Sequence, residues 1–125
     1  MSIERPAYYD AIKNIRWDTS EADLEGVLTK KSKWIGEWRE RYFILKGPKL
    51  FFTKSSTDAP HGIIDLVDCV HVGAINMSFK AHTIEIVMRD SERFILSAPT
   101  KGEKDLWLQF ISKALVRASS AHVME

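Results

Sequence analysis

Cysteine is almost absent. Cys69 is the only one among 125 residues, so no disulfide can form within the chain. Its neighbours Val67, Val70 and Val72 mark it as a small core residue rather than a reactive thiol. A reducing compartment, the cytosol, is the expectation. Long apolar runs are missing too: no early segment has signal-peptide length and none could span a bilayer. Position 2 is Ser2, not the glycine that myristoylation needs. The four histidines, His61, His71, His82 and His122, do not pair at metal-ligand spacing, and one cysteine makes no zinc site. Neither a P-loop nor a dinucleotide glycine fingerprint is present. Asp65 and Asp68 fall near one strand end, where a turn role suits them better than catalysis. An enzyme is therefore not expected, nor a cofactor.

What is present begins with size and charge. The length suits one domain around one core. The net charge of +1 says little, but its distribution says more. Glu25 to Lys54 holds eight Lys/Arg against three Asp/Glu, whereas Ser55 to Pro99 holds three against six. A molecule polarised in this way can turn its basic end toward an anionic surface.

Residues 1–24 form an N-terminal arm. Tyr8, Ile12, Ile15 and Trp17 recur roughly at helical spacing, after a Pro6 that suits a helix start. The arm either packs on the domain or is a helix that binds a protein partner. Seven short strands follow, at Gly26–Ser32, Glu37–Lys46, Leu50–Thr53, Gly62–Val67, Val70–Ile75, His82–Met88 and Arg93–Ser97. Turn formers such as Gly47 and Pro48 separate them. That spacing predicts an antiparallel sandwich or barrel. The period then changes. Thr100 and Glu103 make a capping box, and Trp107, Phe110, Ile111, Ala114 and Ala118 repeat at three and four. One helix is expected there, with Trp107 plugging an open end of the barrel, and residues 119–125 are expected to be a frayed tail.

The first two strands and their turn carry the chemistry. Side chains alternate across a strand, so Arg39, Arg41, Phe43 and Leu45 share one face. Leu28 and Lys30 share a face of the preceding strand. If Phe43 and Leu45 face the core, Arg39 and Arg41 lie on that face nearer the turn, and a hairpin brings Lys30 beside them. Three converging cations repel one another, which costs stability unless an anion belongs between them.

In order and spacing, Gly26 to Lys30, Trp38 to Leu45, Pro60 to Ile64, and Trp107 resemble a pleckstrin homology (PH) domain, over about residues 25–118. The resemblance implies a mostly β fold: a PH-like barrel of seven antiparallel strands in two near-orthogonal sheets, capped by the C-terminal α-helix. It also implies that the loops at the other end cradle a phosphoinositide headgroup. Lys30, Arg39 and Arg41 resemble the phosphate ligands of lipid-binding members. Arg41 would fork onto two oxygens, and Lys30 would act as a point charge. Lys31 and Lys33 would face the membrane surface, and Trp34 and Ile35 at the turn tip would enter the headgroup region. Two positions depart from the family pattern. Phe52 stands where many tight binders have a tyrosine hydroxyl, and His61 where many have arginine, which implies weaker or differently selective binding. A protonated His61 would help, making affinity pH-dependent.

The expected protein is thus cytoplasmic and peripheral on membranes, an adaptor for phosphoinositide signalling. The rival expectation is a PH-type module for protein contact without specific lipid binding. Nucleic acid is not expected as a partner, because the basic cluster is small and no aromatic stripe accompanies it on a sheet face.

Overall fold

The structure is a computed structural model that describes residues 4–32 and 36–123, with residues 120–123 described as backbone only. Nine strands and one long helix follow in order: β1 Tyr8–Asp10, β2 Ile15–Trp17, β3 Leu24–Lys31, β4 Trp38–Lys46, β5 Lys49–Thr53, β6 Gly62–Asp65, β7 Cys69–Met77, β8 Lys80–Met88, β9 Arg93–Ser97 and α1 Lys101–Val123.

Strands β3 to β9 are the seven expected ones. They form one curled antiparallel sheet in the order β6-β5-β4-β3-β9-β8-β7. Its two halves meet at β3, which pairs along its length with β4 and, through Thr29 and Lys30, with Ser97 and Leu96 of β9. The inward side chains Leu28, Phe43, Leu45, Leu50, Ile64, Ile84, Ile86 and Leu96 make the core. Alternate positions along each strand point inward, which gathers these side chains on one face. Val67 turned out not to continue β6. Asp65 ends the strand and its carboxylate accepts the Val67 N–H at 3.1 Å, which caps a single 3-10 turn, Leu66–Asp68. Cys69 is buried in the core, as its neighbours indicated.

Helix α1 packs against β7, β8 and the 3-10 turn. Its start is capped as the sequence indicates: the Thr100 hydroxyl accepts the Glu103 N–H at 3.1 Å and donates to the Glu103 carboxylate at 3.2 Å. Trp107 is buried in the core cluster with Ile111 and Ala114, and its ring lies over Gly26. The expected tail differs, because the helix runs on through Val123. No helix among the described residues is long and apolar enough to cross a membrane.

The arm corrects the sequence reading most. It is a hairpin, β1 against β2 with Tyr8 opposite Trp17, and not a helix. The Asp10 carboxylate accepts the N–H groups of Ile12 and Lys13, both at 3.1 Å, and Asn14 adopts a left-handed φ of 54°. Those are turn devices, and they place Ile12 at the tip, 97% exposed, where a helix would have buried it. The hairpin lies on the outer face of the sheet. Tyr8 meets Phe51 with ring centroids 5.5 Å apart, and Lys49 lies over the Trp17 ring at 4.6 Å. This cover explains why Ile44 and Phe51, paired on the outward side, are 0% and 2% exposed. Arg5 pins the arm. Its guanidinium donates to both Glu25 carboxylate oxygens, to the Thr19 hydroxyl and to the Ser56 carbonyl. Glu25 also accepts the Tyr42 hydroxyl at 2.7 Å. Burial, and then that bond to a carboxylate, push the Tyr42 phenol up to about 12.

Candidate headgroup site

The register of β3 and β4 sets the site. Lys30 lies directly opposite Arg39, and Leu28 opposite Arg41. Direct cross-strand partners share a face, so Lys30, Arg39 and Arg41 lie on the same face as the buried Leu28 and Phe43, at the turn end. Lys31 is opposite Trp38 and therefore belongs to the other face. Lys33, Trp34 and Ile35 lie outside the described residues.

Phe52 organises the cations. The Lys30 ammonium sits 5.3 Å from the Phe52 ring and 5.7 Å from the Phe94 ring, an aromatic seat that holds it by cation–π attraction. His61 meets the same Phe52 ring edge-on, with centroids 5.2 Å apart, and the His61 backbone N–H donates to the Phe52 carbonyl at 3.0 Å. Phe52 leans in turn on Phe43 at 5.6 Å. The ring fits because its cross-strand partner is Gly62, where a Cβ would come within 2.1 Å of the ring. The residue that removes a phenolic donor thus supplies a platform.

Lys54 joins the cluster, and sequence reasoning missed it. Burial first, then the charges of Arg41, Lys54 and Lys30, hold the His61 imidazole below its ordinary value of 6.5. All three cations are therefore close enough to act on it. The signal was present: Phe52 and Lys54 are two apart, and alternation carried one residue past the end of β5 puts them on one side. Buried Thr53 fixes the loop beyond, its hydroxyl lying 3.1 to 3.3 Å from the carbonyls of Ser55, Asp58 and Ala59.

The remaining ligands differ among themselves. Arg41 donates to its neighbour Glu40's carbonyl at 2.7 Å, and among the described residues neither Arg41 nor Lys54 takes part in an ion pair. Arg39 is more exposed and pairs with Glu37 at 3.5 Å, so it stands at the rim with an internal competitor. Two clefts elsewhere suit an anion less well. One, of about 500 Å³, is lined by Asp65, Asp68, Asp90 and Glu92 with Arg89. The other, of about 460 Å³ between α1 and the β4–β5 turn, is largely apolar, with Lys113 and Arg117 alongside Asp23. No cluster of metal-ligating side chains occurs among the described residues.

Comparison with known proteins gives this arrangement a context. Residues 22–116 match the PH domain family. Pleckstrin homology domain-containing protein 1 of Arabidopsis thaliana is 32% identical over 107 residues, covering 80% of this chain and 73% of that protein. A PH domain-containing protein of Dictyostelium discoideum is 34% identical over 96 residues, which cover 75% of this chain but 21% of that protein. Among solved structures, the C-terminal PH domain of pleckstrin in complex with D-myo-Ins(1,2,3,5,6)P5 superposes with a TM-score of 0.68 at 27% identity. That match covers 75% of this chain and 95% of the other. A second complex of the same domain, with D-myo-Ins(1,2,3,4,5)P5, gives 0.66 at 28% identity, covering 74% and 97%. By fold, by register and by sequence over three quarters of its length, the chain belongs to the PH domain family.

Proposed function

We propose that the chain binds phosphoinositide headgroups at the β3–β4 mouth and docks reversibly on membranes as an adaptor. Its fold is in general a non-catalytic binding module. The observation that carries the reading is Lys30 and His61 seated on one Phe52 ring, with the charges of Arg41, Lys54 and Lys30 all acting on that imidazole. Like charges gathered at one mouth repel one another, and a phosphomonoester with nearly two negative charges and three acceptor oxygens offsets that repulsion. Arg41 supplies the fork, Lys30 and Lys54 supply point charges, and Arg39 contributes once Glu37 gives way. Lys31 and Lys33 add attraction to an anionic surface. The inositol pentakisphosphate complexes of the pleckstrin domain support the choice of ligand class.

Sedimentation with vesicles that differ only in their phosphoinositide tests this. Arg41→Ala and Lys54→Ala should each weaken specific binding by about tenfold or more, with unchanged thermal melting. Charge-assisted bonds of this kind are worth roughly 1.5–3 kcal/mol each. Wild-type binding indifferent to the phosphoinositide, or unaltered by both substitutions, would refute the reading. It would favour a protein-contact module instead, which the exposed edge strand β7, with Val70 54% exposed, would suit.

A further inference from the structure

We infer that Phe79, at the tip of the β7–β8 turn, is a second membrane-contact element that enters the lipid surface beside the cationic mouth. This rests on the proposed headgroup reading and extends it to a loop with no part in holding the phosphates.

Phe79 is 98% exposed, the most exposed large apolar side chain among the described residues. A full phenyl ring in water at a hairpin tip gains nothing for the fold, since it covers no other side chain. Its position is what gives it a use. The turn is tight, with Met77 paired to Lys80 and only Ser78 and Phe79 between them. The Lys80 ammonium lies over the Trp38 ring at 5.3 Å. Trp38 opens β4, is opposite Lys31 and immediately precedes Arg39. The β7–β8 turn is thereby tied to the turn end of the β3–β4 hairpin, with Lys80 over the Trp38 ring and Lys31 directly across the ladder from Trp38.

Charge selects the partner. Between Asp68 and Glu85 the chain holds no carboxylate, although Lys80, His71 and His82 lie within that stretch. Four of the six acidic residues from Ser55 to Pro99, namely Asp65, Asp68, Asp90 and Glu92, sit at the opposite strand ends around one cleft, while Glu85 pairs with Arg93 and Asp58 accepts the Ser55 hydroxyl in the β5–β6 loop. An exposed aromatic ring beside lysines, with no acid in its own turn and with Glu37 next to Trp38 paired to Arg39, matches an anionic bilayer: the ring enters among the acyl chains while the ammonium groups stay at the phosphates. Ile12, almost equally exposed at 97%, lacks this setting, because its turn carries Asp10 and lies on the arm.

The test uses the full chain and three measurements: binding to phosphatidylcholine/phosphatidylserine vesicles, to the same vesicles with a few mole per cent of phosphoinositide, and to a soluble inositol polyphosphate. Phe79→Ser should weaken both vesicle affinities by roughly tenfold, as partial withdrawal of a phenyl ring from lipid implies. It should leave soluble polyphosphate binding unchanged. Phe79→Trp should retain vesicle binding, since an indole suits the interface. Wild-type vesicle affinity in Phe79→Ser would overturn the inference while leaving the headgroup reading standing. Failure of the wild type to bind the soluble polyphosphate would overturn the headgroup reading, and the phosphatidylserine vesicles would still decide Phe79. A wild type that bound no vesicle would overturn both.

Discussion

Replacing Gly62 with alanine isolates the contact on which the whole cation cluster stands. Gly62 faces Phe52 across the β5–β6 ladder, and its backbone φ is not in the left-handed region, so an alanine there meets no backbone strain. What it meets is the ring. An ideal Cβ would lie 2.1 Å from Cζ, 2.3 Å from Cε2 and 2.8 Å from Cε1 of Phe52. Carbon atoms rest about 3.5–4.0 Å apart, so the ring must retreat by about 1.4 Å or more from its 2.1 Å contact. It cannot do so quietly, because Phe43 backs it at 5.6 Å and the Lys30 ammonium and His61 are seated on it. Overpacking of this kind costs about 1–3 kcal/mol. The decisive comparison is a double-mutant cycle followed by urea denaturation. In a Phe52→Ala background the obstacle is gone, and Gly62→Ala should become neutral or stabilise by about 0.5 kcal/mol, because it removes a glycine's excess freedom from a strand. The coupling between the two positions should therefore reach about 1–3 kcal/mol. Gly62→Ala alone should also weaken phosphoinositide binding, since displacing the platform displaces Lys30. An equal cost of Gly62→Ala in both backgrounds would show that Phe52 does not occupy the space that glycine leaves, and the platform argument would fail with it.

The sequence disclosed the inner face of this fold far better than the outer one. Period-two alternation on β4 put Arg41, Phe43 and Leu45 on one side, and the register bears that grouping out. Helical spacing and a capping box announced α1 and its buried Trp107 with equal clarity. Outward-facing Ile44 was the unread hint. A residue that alternation assigns to solvent but that is fully apolar requires a cover, and the arm is that cover. The arm itself was misread because Tyr8, Ile12 and Ile15 fit a 3.6-residue period by coincidence, while the side-chain bonds from Asp10 that stop the helix are local and weak as sequence signals. Arg5 to Glu25 was not legible at all, since twenty residues separate the partners and no periodicity links them. At the mouth, Phe52 and His61 looked like missing ligands when judged one by one. Their value lies in the ring contact between them, which only three-dimensional register creates.

The other predictions concern ionisable groups. Arg5→Ala strands the Glu25 carboxylate in a place where the Arg5 side chain is only 1% exposed. Glu25 is itself 22% exposed and keeps the Tyr42 hydroxyl, so the loss falls below the roughly 3–5 kcal/mol of a fully buried pair, and limited proteolysis should then cut first within the arm; an arm as resistant as in the wild type would show that the Tyr8–Phe51 packing suffices. Tyr42 makes stability fall at high pH. The folded protein keeps the phenolic proton up to about 12, whereas the unfolded chain releases it near 10. The folded state thus holds more protons over that interval, and stability declines as pH rises through it. Tyr42→Phe should flatten the decline in denaturant titrations. His61 works in the opposite direction, and on binding. Its imidazole is held below 6.5 by burial and by Arg41, Lys54 and Lys30, so it is mostly neutral in the unliganded protein at neutral pH. A bound phosphate neutralises those cations and favours the imidazolium, so the complex holds more protons than the free protein. The imidazole's own contribution to headgroup affinity then rises as pH falls, beginning near the bound-state value and levelling off below the free-state one. The phosphate itself takes up a proton near pH 6, which weakens attraction from every cation alike. The His61→Gln variant carries that common loss without the imidazole. The ratio of wild-type to His61→Gln affinity should therefore grow between about pH 7.5 and about pH 6. Parallel profiles for the two proteins would mean that His61 stays neutral in the complex and serves only as an edge against Phe52.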